Sequence, residues 1–233
     1  MTQSGPGGRS SAVIWGALGA VVAVVLAVSL WSVASVRPSP AGSGAAAAPT
    51  VLEVTGDHGP VPAFSLTDAT GRVVTLDDLA GKWWIADFIF TRCAGICPLL
   101  SSRMVRLAAS IPDLDRGDVR FVSFTVDPDH DTPETLARYA SGLPIPPQAA
   151  GRWLFLTGPR DRIQQLVMGG FRLNMIERDA ASPPEADLVT HSERFVLVDP
   201  RGRIRGYYHG TDDASVQRLA ADLETLRAGE SAR

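Results

Sequence analysis

Trp83-Trp84-Ile85-Ala86-Asp87-Phe88-Ile89-Phe90-Thr91-Arg92-Cys93-Ala94-Gly95-Ile96-Cys97-Pro98 is the stretch on which the fold turns. Its first half, Trp83–Phe90, is apolar and rich in aromatics. Between Gly81 and the cysteines it is too short for a helix, so it reads as a buried strand. Beyond it Leu99, Leu100, Met104, Leu107 and Ala108 recur at helical spacing. Pro98 suits the first turn of a helix, where backbone N–H groups have no helical partner. The spacing predicts a helix over Pro98–Ile111, entered through a pair of cysteines.

The same reading extends in both directions. Upstream, Phe64–Asp68 and Val73–Leu76 flank Ala69-Thr70-Gly71-Arg72, a hairpin with a turn glycine. Downstream, Val119–Val126 reads as a second buried strand, Pro133–Ser141 as a helix, Trp153–Leu156 as a short strand and Asp161–Met168 as a helix. Phe195–Asp199 and Ile204–Tyr208 surround Pro200-Arg201-Gly202-Arg203, a second hairpin. Asp213–Leu226 closes the chain as an amphipathic helix with Val216, Leu219, Ala220, Leu223 and Leu226 on one face. Alternating strands and helices followed by a hairpin and a helix predict an α/β layered domain, and a thioredoxin-like arrangement fits the order and the length.

Composition narrows the function. In 233 residues there are 22 basic and 25 acidic side chains, a formal net charge of −3, with none of the basic excess that nucleic-acid binding requires. Two cysteines exclude a disulfide-rich scaffold and a zinc site made of cysteines alone. No phosphate-binding or dinucleotide-binding glycine motif occurs, and no HExxH.

The N-terminal region is of another kind. Residues 1–10 read as a cytoplasmic tail, and 11–36 carry no charge, with Trp15 and Trp31 near their ends. As a helix, 11–36 would span about 39 Å, enough to cross a hydrocarbon core of about 30 Å. A transmembrane signal anchor is expected there, and a cleaved signal peptide is the alternative. Residues 37–55, rich in Pro, Gly, Ser and Ala, read as a flexible tether, 56–228 as the folded domain and 229–233 as a tail. The expected layout is a single-pass protein of the cytoplasmic membrane, with its C-terminal domain on the periplasmic or extracellular face.

The cysteines sit where thiol chemistry is favoured. A helix N-terminus carries partial positive charge, which favours thiolate over thiol. A spacing of four brings two side chains onto one face of a turn, about 5–6 Å apart between Cβ atoms. Two sulfurs so placed can hold one soft metal ion or form a disulfide. Copper(I) held by two thiolates calls for a third ligand, for which imidazole is suited. Of the four histidines, His58 lies in a Gly/Pro turn, His130 in a turn before a helix, His191 ahead of a strand and His209 after one. Spacing alone singles out none of them.

Three segments resemble the motifs of the Sco/SenC family. Phe88–Pro98 is similar to its CxxxCP motif, and Thr125-Val126-Asp127-Pro128-Asp129-His130-Asp131-Thr132-Pro133 to its second. His191 followed by Phe195–Gly202 is similar to its third, a histidine before a strand ending in DPxG. The likeness runs from about Val61 to Leu226. Ala94 stands where many relatives have proline, and His130 where they often have arginine.

The resemblance implies a thioredoxin-like fold and a copper site of Cys93, Cys97 and His191, holding Cu(I), Cu(II) or both, with Asp127 as a supporting neighbour. It also implies a role in assembling the copper centre of cytochrome c oxidase subunit II, with that subunit or its assembly factors as partner. A second reading uses the same sulfurs: Cys93 and Cys97 as a redox pair that reduces the cysteines of that client or acts in redox signalling. The absence of proline from Leu188-Val189-Thr190-His191-Ser192, where thiol oxidoreductases of this fold place a cis-proline, leans toward copper.

Overall fold

The computed structural model describes residues 55–173 and 192–231. The expected membrane helix, most of the tether and His191 lie outside these. Among the described residues no helix is long and apolar enough to cross a membrane.

The strands are β1 (Ser65–Asp68), β2 (Val73–Thr75), β3 (Trp83–Ile89), β4 (Val119–Thr125), β5 (Trp153–Thr157), β6 (Arg194–Val198) and β7 (Ile204–His209). They form one sheet in the order β2-β1-β5-β4-β3-β6-β7. β3 pairs in parallel with β4, and β4 with β5, while the outer pairings are antiparallel. The fold is α/β and thioredoxin-like, with a central mixed sheet, as the pattern of elements predicts. All seven residues of β3 are buried, which explains its continuous apolar run: a central strand covered on both faces has no polar side to show. Upstream of β1, Gly56, His58 and Val61 donate backbone hydrogen bonds to Arg205, Ile204 and Gly202, covering the free edge of β7.

Alternation along the strands sorts the core into two faces. On one, the rings of Trp84, Phe88, Phe64 and Phe124 gather round Phe171; Phe88 and Phe124 stack at 5.7 Å, and Phe88 meets Phe171 edge-on at 5.1 Å. On the other, Asp87, Ser123, Phe121, Trp153 and Phe155 face the helices α1 (Ile96–Ser110) and α2 (Pro133–Ser141), with Tyr139 of α2 edge-on to Phe155.

Strand ends differ from the sequence reading by one residue, and three helices differ by more. α1 begins at Ile96, two residues early, because Gly95 is the residue outside the helical conformation; Pro98 then still falls in the first turn, where its missing N–H costs nothing. The segment after β5 is a short helix, α3 (Arg160–Gln164), that widens into a π-helical turn over Gln165–Gly170. There the Phe171 N–H reaches back to the Leu166 carbonyl, and Gly170 packs so closely that a Cβ on it would lie 2.7 Å from the Pro62 ring. The extra residue in the turn delivers Phe171 into the aromatic cluster. The last helix, α4 (Asp213–Ser231), runs five residues beyond Leu226. Arg227, 8% exposed at the side chain, is held by Asp118 at 2.9 Å and Glu224 at 2.6 Å, which anchors that extra turn to the start of β4.

Phe171 is fully buried against three other aromatic rings. Phe171→Ala is therefore expected to destabilise the domain by about 3–5 kcal/mol, read from the urea midpoint followed by tryptophan fluorescence.

Candidate functional site

The site is built where β3 and β4 end. Leaving β3, the chain turns at Phe90, whose carbonyl accepts a hydrogen bond from the Cys93 N–H at 3.2 Å, and enters α1 after Gly95. Cys97 is thus the second residue of the helix. It is fully buried, whereas Cys93 is 7% exposed and flanked by exposed Arg92, Ala94 and Gly95. The cysteines are not joined in a disulfide, and their thiols are in hydrogen-bond contact. Of the two cysteines, Cys93 is the less deeply buried.

Burial pushes the Cys97 thiol far above its ordinary range; the Cys93 thiol and the negative charge of Asp87 add to the shift, while a backbone hydrogen bond from Phe90 opposes it. This corrects the expectation that the helix N-terminus favours a thiolate at both positions. A helix end contributes about 0.3–1 kcal/mol to a nearby charge, and full burial shifts a titrating group by up to about 3–5 units, so at Cys97 burial wins.

The second segment, between β4 and α2, lies beside the first. Arg92, next to Cys93, donates from Nε to Asp127 at 2.7 Å, and His130 Nδ1 lies 3.2 Å from the other oxygen of the same carboxylate. The Asp127 side chain is 5% exposed, between two half-exposed cationic or ionisable neighbours. His58 lies edge-on to Tyr207 at 5.3 Å, and His209 ends β7 with its backbone N–H bonded to Ser215. Among the described residues no three His, Cys, Asp or Glu side chains are grouped to hold a metal. Of the expected ligands, the two sulfurs are together; His191 is outside the described residues.

Two acids escaped the sequence reading. Asp131, fully buried, accepts from the Thr91 N–H at 3.1 Å, the Thr91 hydroxyl at 2.5 Å and the Thr125 hydroxyl at 2.5 Å, so it ties the cysteine loop to the end of β4. No spacing rule links it to a threonine 40 positions away. Asp87 is fully buried in mid-strand, its Oδ1 accepting from the Ser123 hydroxyl at 2.5 Å, which in turn accepts from the Trp153 indole at 2.9 Å. Its signal was visible, a charge in the middle of an apolar strand. Burial raises its pKa to about 7, the Ser123 bond partly offsetting the rise.

The SCO1/SenC family model matches residues 54–228. The chain belongs to the SCO1/SenC family. A SCO1 protein homolog of Bacillus subtilis (strain 168) is 32% identical over 165 residues, which is 71% of this chain and 81% of the relative. Among solved SCO1/SenC-type structures, BsSco, a member of the Sco family of cytochrome c oxidase assembly proteins with a disulfide switch, is similar at 31% identity and a TM-score of 0.60. The match covers 74% of this chain and 96% of that one. The crystal structure of yeast Sco1 with copper bound is similar at 25% identity and a TM-score of 0.56, covering 71% and 88%.

Removing the Asp131 carboxylate strands the buried Thr125 hydroxyl and two part-buried donors of Thr91, so Asp131→Ala is expected to cost about 3 kcal/mol in chemical denaturation. Asp87 gives a pH signature. Its folded pKa lies above its unfolded one, so the stability its neutral form contributes is whole below about pH 4 and is lost as the pH rises to about 7. Wild type should lose melting temperature across that window relative to Asp87→Asn, which keeps a neutral group throughout; parallel curves would assign the rise elsewhere.

Proposed function

We propose that the protein is a membrane-anchored copper metallochaperone that binds one copper ion through Cys93, Cys97 and His191 and hands it to the copper centre of cytochrome c oxidase subunit II. The observation that carries the reading is the pair of buried cysteines at the entrance to α1, Cys93 in the turn before the helix and Cys97 in its first turn. The copper-bound yeast relative and the oxidase-assembly role of BsSco support it.

Copper is cargo here, and the donor set suits it. Thiolates are soft ligands that prefer Cu(I), and with His191 they make a three-coordinate site which an incoming thiolate can invade. Asp127 serves the site through Arg92, fixing the residue next to Cys93. The anchor in 11–36 would hold the domain at the outer membrane face, where the copper centre of the client is built. Since Cys97 is held as a thiol, metal must displace its proton, so copper affinity rises with pH through neutrality.

The second reading is thiol–disulfide exchange on the same client. The disulfide switch of BsSco favours keeping it, as does the deeper burial of Cys97 than of Cys93, which suits a resolving and an attacking thiol.

The deciding test is an anaerobic Cu(I) titration of the reduced full-length chain in detergent against a competing chelator. One tight equivalent is expected in wild type. Cys93→Ser, Cys97→Ser and His191→Ala should each weaken it by about 100-fold or more, since even groups that merely orient a ligand are worth about 10–100-fold. Asp127→Asn should fall within that smaller range. Affinity indifferent to His191→Ala would remove His191 and move the exchange reading to first place.

A further inference from the structure

Arg120 of β4 and Arg152, the residue ahead of β5, stand directly opposite one another. Phe121 is in register with Trp153, and the Phe121 N–H bonds the Arg152 carbonyl at 2.9 Å, so the pair one step earlier is Arg120 and Arg152. Side chains in register on neighbouring parallel strands leave the sheet on the same face, and such strands lie about 4.8 Å apart. Two like charges so placed destabilise a sheet unless an opposite charge lies between them.

No carboxylate of the described residues does. Arg120 donates from Nη1 to the carbonyls of Gly117 at 2.9 Å and Val119 at 3.0 Å. Arg152 donates from Nη2 to the Asp115 carbonyl at 3.0 Å and from Nη1 to the Gln148 carbonyl. Among the described residues these are the hydrogen bonds of the two guanidinium groups, and neither group forms an ion pair. Of the nearby acids, Asp118 is gripped by Arg227 at 2.9 Å and Asp113 lies 3.8 Å from Arg116. Asp115 is exposed and gives Arg152 its backbone carbonyl alone. Burial, and after it the charge of Arg152, hold the Arg120 guanidinium below its ordinary range, with Asp118 opposing them. An arginine does not escape by losing its proton, so the repulsion stays.

The two planar groups are also held in place. Both reach the turn that leads into β4: Arg120 takes the Gly117 carbonyl and Arg152 the Asp115 carbonyl. A Cβ on Gly117 would lie 3.8 Å from Nε and Nη2 of Arg152, so that guanidinium runs along the glycine. Each guanidinium has five N–H donors, and the carbonyls occupy only part of them. Donors already fixed by backbone bonds cost little to order when a ligand arrives. Two such forks flanking one turn suit a tetrahedral anion, whose oxygens can be shared between them.

We propose that Arg120 and Arg152 form a binding site for a phosphate group at the end of the sheet opposite the cysteine pair. β3, β4 and β5 run in parallel; the cysteine site lies where β3 and β4 end, and the arginine pair where β4 and β5 begin. The group is either free phosphate or the headgroup of an anionic phospholipid. A headgroup bound there turns the cysteine end away from the lipid surface. The inference rests neither on copper nor on thiol exchange.

The test follows thermal unfolding and amide hydrogen exchange of the full-length chain in neutral detergent, in sodium phosphate against sodium chloride of equal ionic strength. With phosphate at about ten times its dissociation constant, wild type should melt about 3–5 °C higher. The Gly117 and Phe121 amides, bonded to Leu114 and Arg152, should exchange about tenfold more slowly. Arg120→Gln and Arg152→Gln should each lose both effects, and Arg116→Gln, which removes an exposed arginine of the same turn, should keep them. Where a glutamine variant does not fold, Arg120→Lys or Arg152→Lys takes its place; each keeps the charge, loses the fork and should lose most of the slowing.

No rise in wild type over chloride would overturn the proposal. So would a rise that survives in both variants, which is the general stabilisation that phosphate salts give, or a loss as large in Arg116→Gln, which would make the effect one of diffuse charge. Nanodiscs of phosphatidylcholine with and without phosphatidylglycerol, in phosphate-free buffer, assign the source. Slower exchange at the same two amides in the anionic discs identifies the headgroup, and slowing by free phosphate alone identifies the soluble ion. Copper affinity should be unchanged in both arginine variants, so failure here leaves the proposed function standing.

Discussion

The segment that leaves β3 makes a tight turn with little regular structure, and a buried carboxylate supplies the bonds it would otherwise lack. Asp131 takes two donors from Thr91 and one from Thr125, and the Thr125 hydroxyl in turn accepts from the Asp127 N–H. Through these bonds the end of β3, the end of β4 and the segment leading into α2 become one unit. Cys93 and Asp127 sit on either side of it, joined at the surface by Arg92. A buried acid so fully engaged does not pay for its burial in unmet hydrogen bonds. The cost of losing it falls on the geometry of the cysteine loop, because no other described group reaches Thr91 from β4.

The position of Cys97 sets the chemistry. One residue earlier it would face the rim of the site, and the positive end of α1 would govern its proton. In the second position of α1, fully buried and hydrogen-bonded by the Phe90 backbone, it is a buried group first and a helix-terminal group second. A thiolate there is unfavourable until something takes up its charge. Cu(I) does so by coordination, and Cys93 does so by forming a disulfide. Either way Cys97 stays unreactive until its partner in the reaction is in place, while Cys93 is the less deeply buried of the two. The inequality of the two sulfurs is thus a property of where the helix begins, and Gly95 fixes that by being the last non-helical residue.

Much of this was legible in the chain. The central strand announced itself because Trp83–Phe90 is apolar on both faces, and the cysteine pair because it follows that strand and precedes a helical repeat. Pro133–Ser141 was readable to the residue, since Thr132 caps it and Pro133 opens it. What escaped depends on contacts distant in sequence. Nothing local shows that Asp131 bonds Thr91, that Gly170 must press against Pro62 and so widen a helix into a π-turn, or that Arg227 would extend α4 by gripping Asp118. The start of α1 was misplaced because Pro98 is tolerated throughout a first turn and so cannot mark its first residue. Asp87 is the instructive case: an acid at mid-strand breaks the apolar pattern, and a residue that breaks the pattern of its own element is a candidate for function.

The order of events proposed for the site follows from which cysteine is less deeply buried. Ala94 and Gly95 are exposed and carry no bulk, and Leu99, 40% exposed, adds an apolar rim on the same turn as the cysteines. An approaching polypeptide meets small and apolar side chains there beside exposed Arg92, with His130 and the Asp129–Arg160 pair on the second segment and α3. In the proposed carrier a client thiolate therefore displaces Cys93 first, and copper remains bonded to Cys97 until transfer is nearly complete. In the exchange reading the same asymmetry makes Cys93 the sulfur that joins the client and Cys97 the one that releases it. Both chemistries end at the buried thiol, and both must place its proton somewhere.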